Sequence, residues 1–148
     1  MSSSAKVMCG IILITIPTIE FGGYFLLQIL SGQVQGPELT DFQQAMFRAG
    51  HGHAGVLVIL SLIAQFLADH ARLNTLGEWV VRLGFPTAAL LVSGGFFGAA
   101  IGEGVTEPQA LIGLLYGGVV LLAVVLILLG VGLIRNRKTT APTALPAE

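Results

Sequence analysis

Two short stretches of this chain carry side chains that could do chemistry. One is Arg48-Ala49-Gly50-His51-Gly52-His53-Ala54-Gly55, two histidines set among small residues. At i and i+2 on a helix two side chains point about 200° apart, so the pair cannot grip one ligand together. One of them can supply a single axial ligand to a planar macrocycle, for which the flanking glycines leave room. A histidine at a membrane surface can instead hydrogen-bond headgroups or loop carbonyls. The second stretch is Glu20, with Tyr24 and Gln28 at i+4 and i+8, which sets three polar side chains on one helix face.

These residues lie in segments long and apolar enough to cross a membrane. Of the 148 residues 54% are hydrophobic and 10% are charged, and the mean hydropathy is +0.86. Soluble domains carry about 25% charged residues, so no water-facing surface can be built all round this chain. Four apolar stretches, about 7–30, 49–68, 80–101 and 110–134, each supply the roughly 20 residues that a helix needs to span a bilayer core. The expected fold class is all-α: an integral-membrane four-helix bundle, antiparallel because its loops are short, over residues 1–138. Residues 139–148, rich in Thr, Ala and Pro, read as a disordered tail. The first span is too long for a signal-peptide core and no small-x-small cleavage site follows it, so it reads as a retained anchor.

Six of the seven basic residues (Lys6, Arg72, Arg82, Arg135, Arg137 and Lys138) flank one side of these spans, and Arg48 alone flanks the other. The positive-inside rule then places both termini and the second loop on the cytoplasmic side of a cytoplasmic (inner) membrane, as a multi-pass protein. Net charge is −1, with no basic patch for nucleic acid. Cys9 is the single cysteine, which excludes an internal disulfide or a cysteine metal cage. No phosphate loop, catalytic triad or zinc motif occurs.

The connections carry their own signals. In the first loop Gly32, Gly36 and Pro37 precede a polar run in which Thr40 or Asp41 is placed to cap the second span. Pro108 falls where the first turn of span four is expected, and Trp79 falls at an interface. Gly94, Gly98 and Gly102 on span three and Gly113 and Gly117 on span four form small-residue ridges suited to close helix approach, within the bundle or between protomers. Pro17 should kink span one.

A buried ionisable group in a membrane costs a few kcal/mol and normally faces an interior. Glu20 lies about eleven residues, roughly 16 Å, from the outer end of its span. Glu20, Tyr24 and Gln28 are therefore expected to line an interior or cavity. His51, His53, Ser93, Glu103 and Tyr116 fall in the same outer half, while the inner half has Gln65 and little else. A polar outer pocket in an apolar bundle is the expected site.

The arrangement resembles the styrene oxide isomerases, small four-span membrane enzymes. Lys6-Val7-Met8-Cys9-Gly10 looks like that family's start of span one. Arg48-Ala49 followed by His53-Ala54-Gly55 looks like its Arg-Ala-His-small-Gly start of span two with two residues inserted, and Gly95-Phe96-Phe97 sits where the family has Gly-Phe-Tyr. The resemblance implies haem b held by a histidine early in span two, a homo-oligomer (a trimer if the likeness extends that far), and isomerisation of an epoxide to a carbonyl compound. The His-small-Gly pattern favours His53 as axial ligand. Helical phase favours His51, which lies about 40° from both Gly55 and Gln65. Arg48 and Tyr24 are the further cofactor-binding candidates. The family's asparagine after the histidine is here Ile59, or Leu57 counted from His51, and its tyrosine is Phe97. Glu20 and Tyr116 are the candidates to stand in for them.

Three functions are expected to compete. The first is a haem-b enzyme acting on small apolar substrates drawn from the lipid bilayer, with ferric iron as Lewis acid. The second is a haem-binding or respiratory accessory subunit without catalysis. The third is a small proton-coupled transporter centred on Glu20.

Overall fold

A computed structural model describes residues 1–33 and 38–137. Gly36, Pro37, Lys138 and the 139–148 tail, all named above, lie outside the described residues. The chain forms four helices, α1 (Ser3–Leu30), α2 (Asp41–Ala68), α3 (Thr75–Gly98) and α4 (Ile112–Arg135). Each is long and apolar enough to cross a membrane, the make-up of a multi-pass membrane protein.

Side chains start three of the helices. Ser2 caps α1 and accepts from the Ala5 backbone N–H at 3.1 Å, and Asn74 caps α3 through the Gly77 N–H at 2.8 Å. Thr40 caps α2 in a reciprocal box: the Gln43 N–H donates to Thr40 Oγ1 at 3.1 Å, and the Thr40 N–H donates to Gln43 Oε1 at 3.2 Å. Helix α4 has no side-chain cap and begins at Ile112, not at Pro108. Its first turn is wound tightly by i→i−3 bonds from Ile112, Gly113 and Leu114 back to Gln109, Ala110 and Leu111.

The two ends of the structure are tied differently. At one end, here called basal, the N-terminus, the α2–α3 connection and the end of α4 meet; Ser2 binds Asp69, and Asn136 Nδ2 donates to the Ala71 carbonyl. At the other, distal, end the start of α2 is bound to the α3–α4 connection. Gln43 Nε2 donates to the Ala100 and Gly102 carbonyls at 3.0 and 2.8 Å, and Thr40 Oγ1 donates to the Val105 carbonyl.

Helices α3 and α4 approach through glycines. A Cβ added at Gly95 would collide with the backbone of Leu115; one at Gly84 would lie 2.5 Å from Val125 Cγ1, and one at Gly118 would lie 2.8 Å from Val92 N. The expected ridges serve the α3–α4 contact only in part. Gly98 does meet Leu111, but Gly94, Gly113 and Gly117 meet nothing, and Gly102 lies past the helix end with a φ of +124°. The face of α3 that meets α4 is the one bearing Gly84, Gly95 and Gly98, which a four-residue spacing count alone does not select.

Helix α1 is attached along part of its length. Its fully buried residues are Ala5, Met8, Cys9 and Ile12, all in the basal half, whereas those of α3 run from Val81 to Gly98. Beyond Ile12 a groove opens between α1, α2 and α3.

Candidate functional site

Helix α2 sends its two histidines to different neighbours, as their spacing requires. The half-buried His51 ring lies on α1 at Gly23, where an added Cβ would come within 2.7 Å of its Cε1 and Nε2. The His53 ring lies against Phe96 of α3, with ring centroids 4.8 Å apart and planes inclined by 32°. His53 Nδ1 is 2.8 Å from the Ala49 carbonyl oxygen. A carbonyl only accepts, so Nδ1 carries the proton, and in the neutral imidazole Nε2 is left with its lone pair. A histidine that ligates a metal through Nε2 is normally held this way, by a carbonyl on its other nitrogen. His53 is exposed at the surface of the chain.

The other sequence-derived candidates do not converge. Glu20 is exposed and Tyr24 is 61% exposed, so they lie on the outer surface of α1 instead of lining an interior, and Gln28 is half-buried. The physical reason is that α1 drifts from its neighbours after Ile12, and the face it keeps inward passes through Ile19 and Gly23. Tyr116 is 63% exposed, about 200° around α4 from the buried Gly118. Glu103 is exposed in the α3–α4 connection. The expected polar outer pocket is thus not formed by these residues. Arg48 is exposed and shares a helical face with His51, Gly52 and Gly55, not with His53. A Cβ at Gly52 or Gly55 would meet nothing within 4 Å. Phe97 packs against Phe47 at 5.8 Å and against Gly50, while Ile59 is exposed and Leu57 is buried. Among the described residues no three His, Cys, Asp or Glu gather to hold a metal ion. A haem brings four nitrogens of its own and asks the protein for only one or two ligands, a demand that His53 meets.

Two features were missed from sequence. The first is the groove, with a volume of about 450 Å³, lined among others by Met8, Thr15, Val58, Leu90, Ser93 and Gly94. His51 and Gly23 meet about one turn beyond Ala54 and Ile19 of its wall, toward the distal end. The second is Arg82, expected to flank a loop but fully buried within α3. All five of its N–H groups are used. Nε donates to Glu78 Oε1 at 2.8 Å; Nη1 donates to Gln65 O at 3.1 Å and more weakly to Gln65 Oε1 at 3.4 Å; Nη2 donates to Asp69 Oδ1 at 2.5 Å and Ser2 Oγ at 3.2 Å. In return Gln65 Nε2 donates to the Arg82 carbonyl at 3.0 Å. That carbonyl is the one orphaned by Pro86, which has no N–H to offer four residues on. Burial would raise the Asp69 carboxyl pKa, but the Ser2 hydroxyl and backbone N–H, with Arg82, outweigh it and bring the value down to about 2. The Pro86 spacing relative to Arg82 was the available signal.

No protein-family description, curated protein or solved structure matches this chain.

Proposed function

We propose that this chain is a membrane haem-b protein, with His53 as the axial ligand, that isomerises small apolar epoxides to carbonyl compounds. The observation that carries the proposal is the His53 imidazole: Nδ1–H is committed to the Ala49 carbonyl, which leaves the Nε2 lone pair for a ligand, on a side chain exposed at the surface of the chain. Phe96 fixes the ring plane. His51 is the weaker candidate because its ring is pressed onto Gly23. When bound, ferric haem supplies a Lewis acid for the epoxide oxygen. The surrounding apolar helix faces admit a lipid-soluble substrate and keep water away.

An exposed His53 leaves the far side of a bound macrocycle to be covered, which supports assembly into a homo-oligomer, a trimer if like the resembled family. Glu20 and Tyr24, exposed at membrane depth, favour the same burial between copies. Gly50 meets Phe97 while Gln65 meets Arg82, and Gly84 meets Val125 while Gly98 meets Leu111; these pairs run in opposite senses and support an antiparallel bundle. The basic residues support a cytoplasmic basal end in the inner membrane.

The test is the visible spectrum of protein purified in mild detergent, with and without dithionite. A Soret band lost in His53→Ala and kept in His51→Ala is expected, together with turnover of a phenyl-substituted epoxide to its aldehyde. A colourless preparation from cells supplied with haem precursor would overturn the proposal.

A further inference from the structure

The α1–α2–α3 groove holds an unmet demand. Of its hydroxyls, Thr15 donates to the Ile12 carbonyl at 2.7 Å, Thr18 to the Thr15 carbonyl at 2.6 Å and Ser61 to the Leu57 carbonyl at 2.7 Å, each spent on its own helix, while Thr87 is exposed at the rim and is not a buried demand. Ser93 is different. It is 7% exposed, it lines the groove, and its Oγ has no hydrogen-bond partner. A buried hydroxyl without a partner is costly, and in an apolar wall nothing else relieves it.

The rest of the lining is apolar and carries no charged side chain, and the volume of about 450 Å³ is that of a small-molecule site. Gly94, beside Ser93, meets nothing within 4 Å and leaves the groove wide at that level. Thr15, Thr18 and Leu90 on its rim are exposed toward the surface that lipid covers, so the way in is sideways.

We propose that this groove binds one neutral, lipid-soluble molecule bearing a single hydrogen-bond-acceptor oxygen, which takes the Ser93 Oγ–H. A charged ligand would find no counter-charge there, and a multiply polar one no second buried hydroxyl free to donate. A plain acyl chain would fill the volume but leave Ser93 unmet. The site stands on α1, α2 and α3 independently of His53, so it does not rest on the haem proposal.

The experiment uses the full chain in lipid nanodiscs and benzophenone, a neutral ketone that inserts into neighbouring C–H bonds on irradiation. Saturable labelling of Met8, Leu83 or Leu90 is expected, lost in Gly94→Leu, which fills the groove. Camphor should displace benzophenone about three- to ten-fold better than its hydrocarbon counterpart bornane at equal mole fraction in the bilayer, as one hydrogen bond predicts. Ser93→Ala should abolish that preference, with the fold monitored by its thermal midpoint. Equal displacement by camphor and bornane on the wild-type chain would overturn the proposal and mark an acyl-chain slot. Non-saturable labelling spread over all lipid-facing helices would overturn it also. Neither readout involves the Soret band, so failure here and failure of the haem proposal are distinguishable.

Discussion

Helix α1 and the block formed by α2, α3 and α4 obey different rules in one small molecule. The block is tied at both ends: by Thr40 and Gln43 to the α3–α4 connection distally, and by the Arg82 cluster and Asn136 basally. Its glycines let α3 and α4 touch along their length. Helix α1 is anchored by Ser2, Ala5, Met8 and Cys9 at the basal end, and past Ile12 it holds on chiefly through Gly23 and His51. A membrane gives helices little hydrophobic reason to associate, so polar anchors and close packing decide which surfaces meet. Where both are present the chain is closed, and where both run out a groove opens.

Removing the strongest anchor should have the largest effect. Arg82→Met leaves Asp69 and Glu78 without their buried cation and is expected to cost about 3–5 kcal/mol. Its thermal midpoint in detergent should fall well below that of the wild type; an unchanged midpoint would mean the cluster does not hold the basal end. A milder route to the same end is acid. The Asp69 pKa is lowered from 3.8 to about 2, so the stability it contributes is complete above about pH 4 and is lost as pH falls through 2. Midpoints measured between pH 6 and pH 2 should drop over that window in the wild type, and Asp69→Asn, less stable throughout, should lack this component of the drop. The smallest effect belongs to the distal contact. In Gly23→Ala the new methyl, 2.7 Å from the His51 ring, is expected to turn the ring aside at a cost below about 1 kcal/mol. It should nonetheless lengthen the distance between spin labels at Phe25 and Val56, sharpening the contrast between a fixed block and a loosely held α1.

Much of the frame was legible beforehand because it depends on local rules. Apolar run length marks the four helices, the polar run opening with Thr40 and Asp41 marks a capped start, and i, i+2 spacing sends His51 and His53 apart. The missed features depend chiefly on partners distant in sequence. Arg82 counts as a flanking charge until Gln65, Asp69, Glu78 and Ser2 are seen around it. The Glu20–Tyr24–Gln28 row shares one face, but no periodicity within α1 shows where its neighbours end. The glycines of α3 are a like case, since the choice between Gly94 and Gly95 as the contact with α4 is made by where α4 lies.

The Ser2–Arg82 bond spans 80 residues, and this separation bears on the order of events during synthesis. Among the described residues every polar tie of α1 at the basal end goes to Asp69 or Arg82, both made after α1 itself. The first helix inserted therefore gains its polar ties at the basal end only after α2 and the start of α3 have been made.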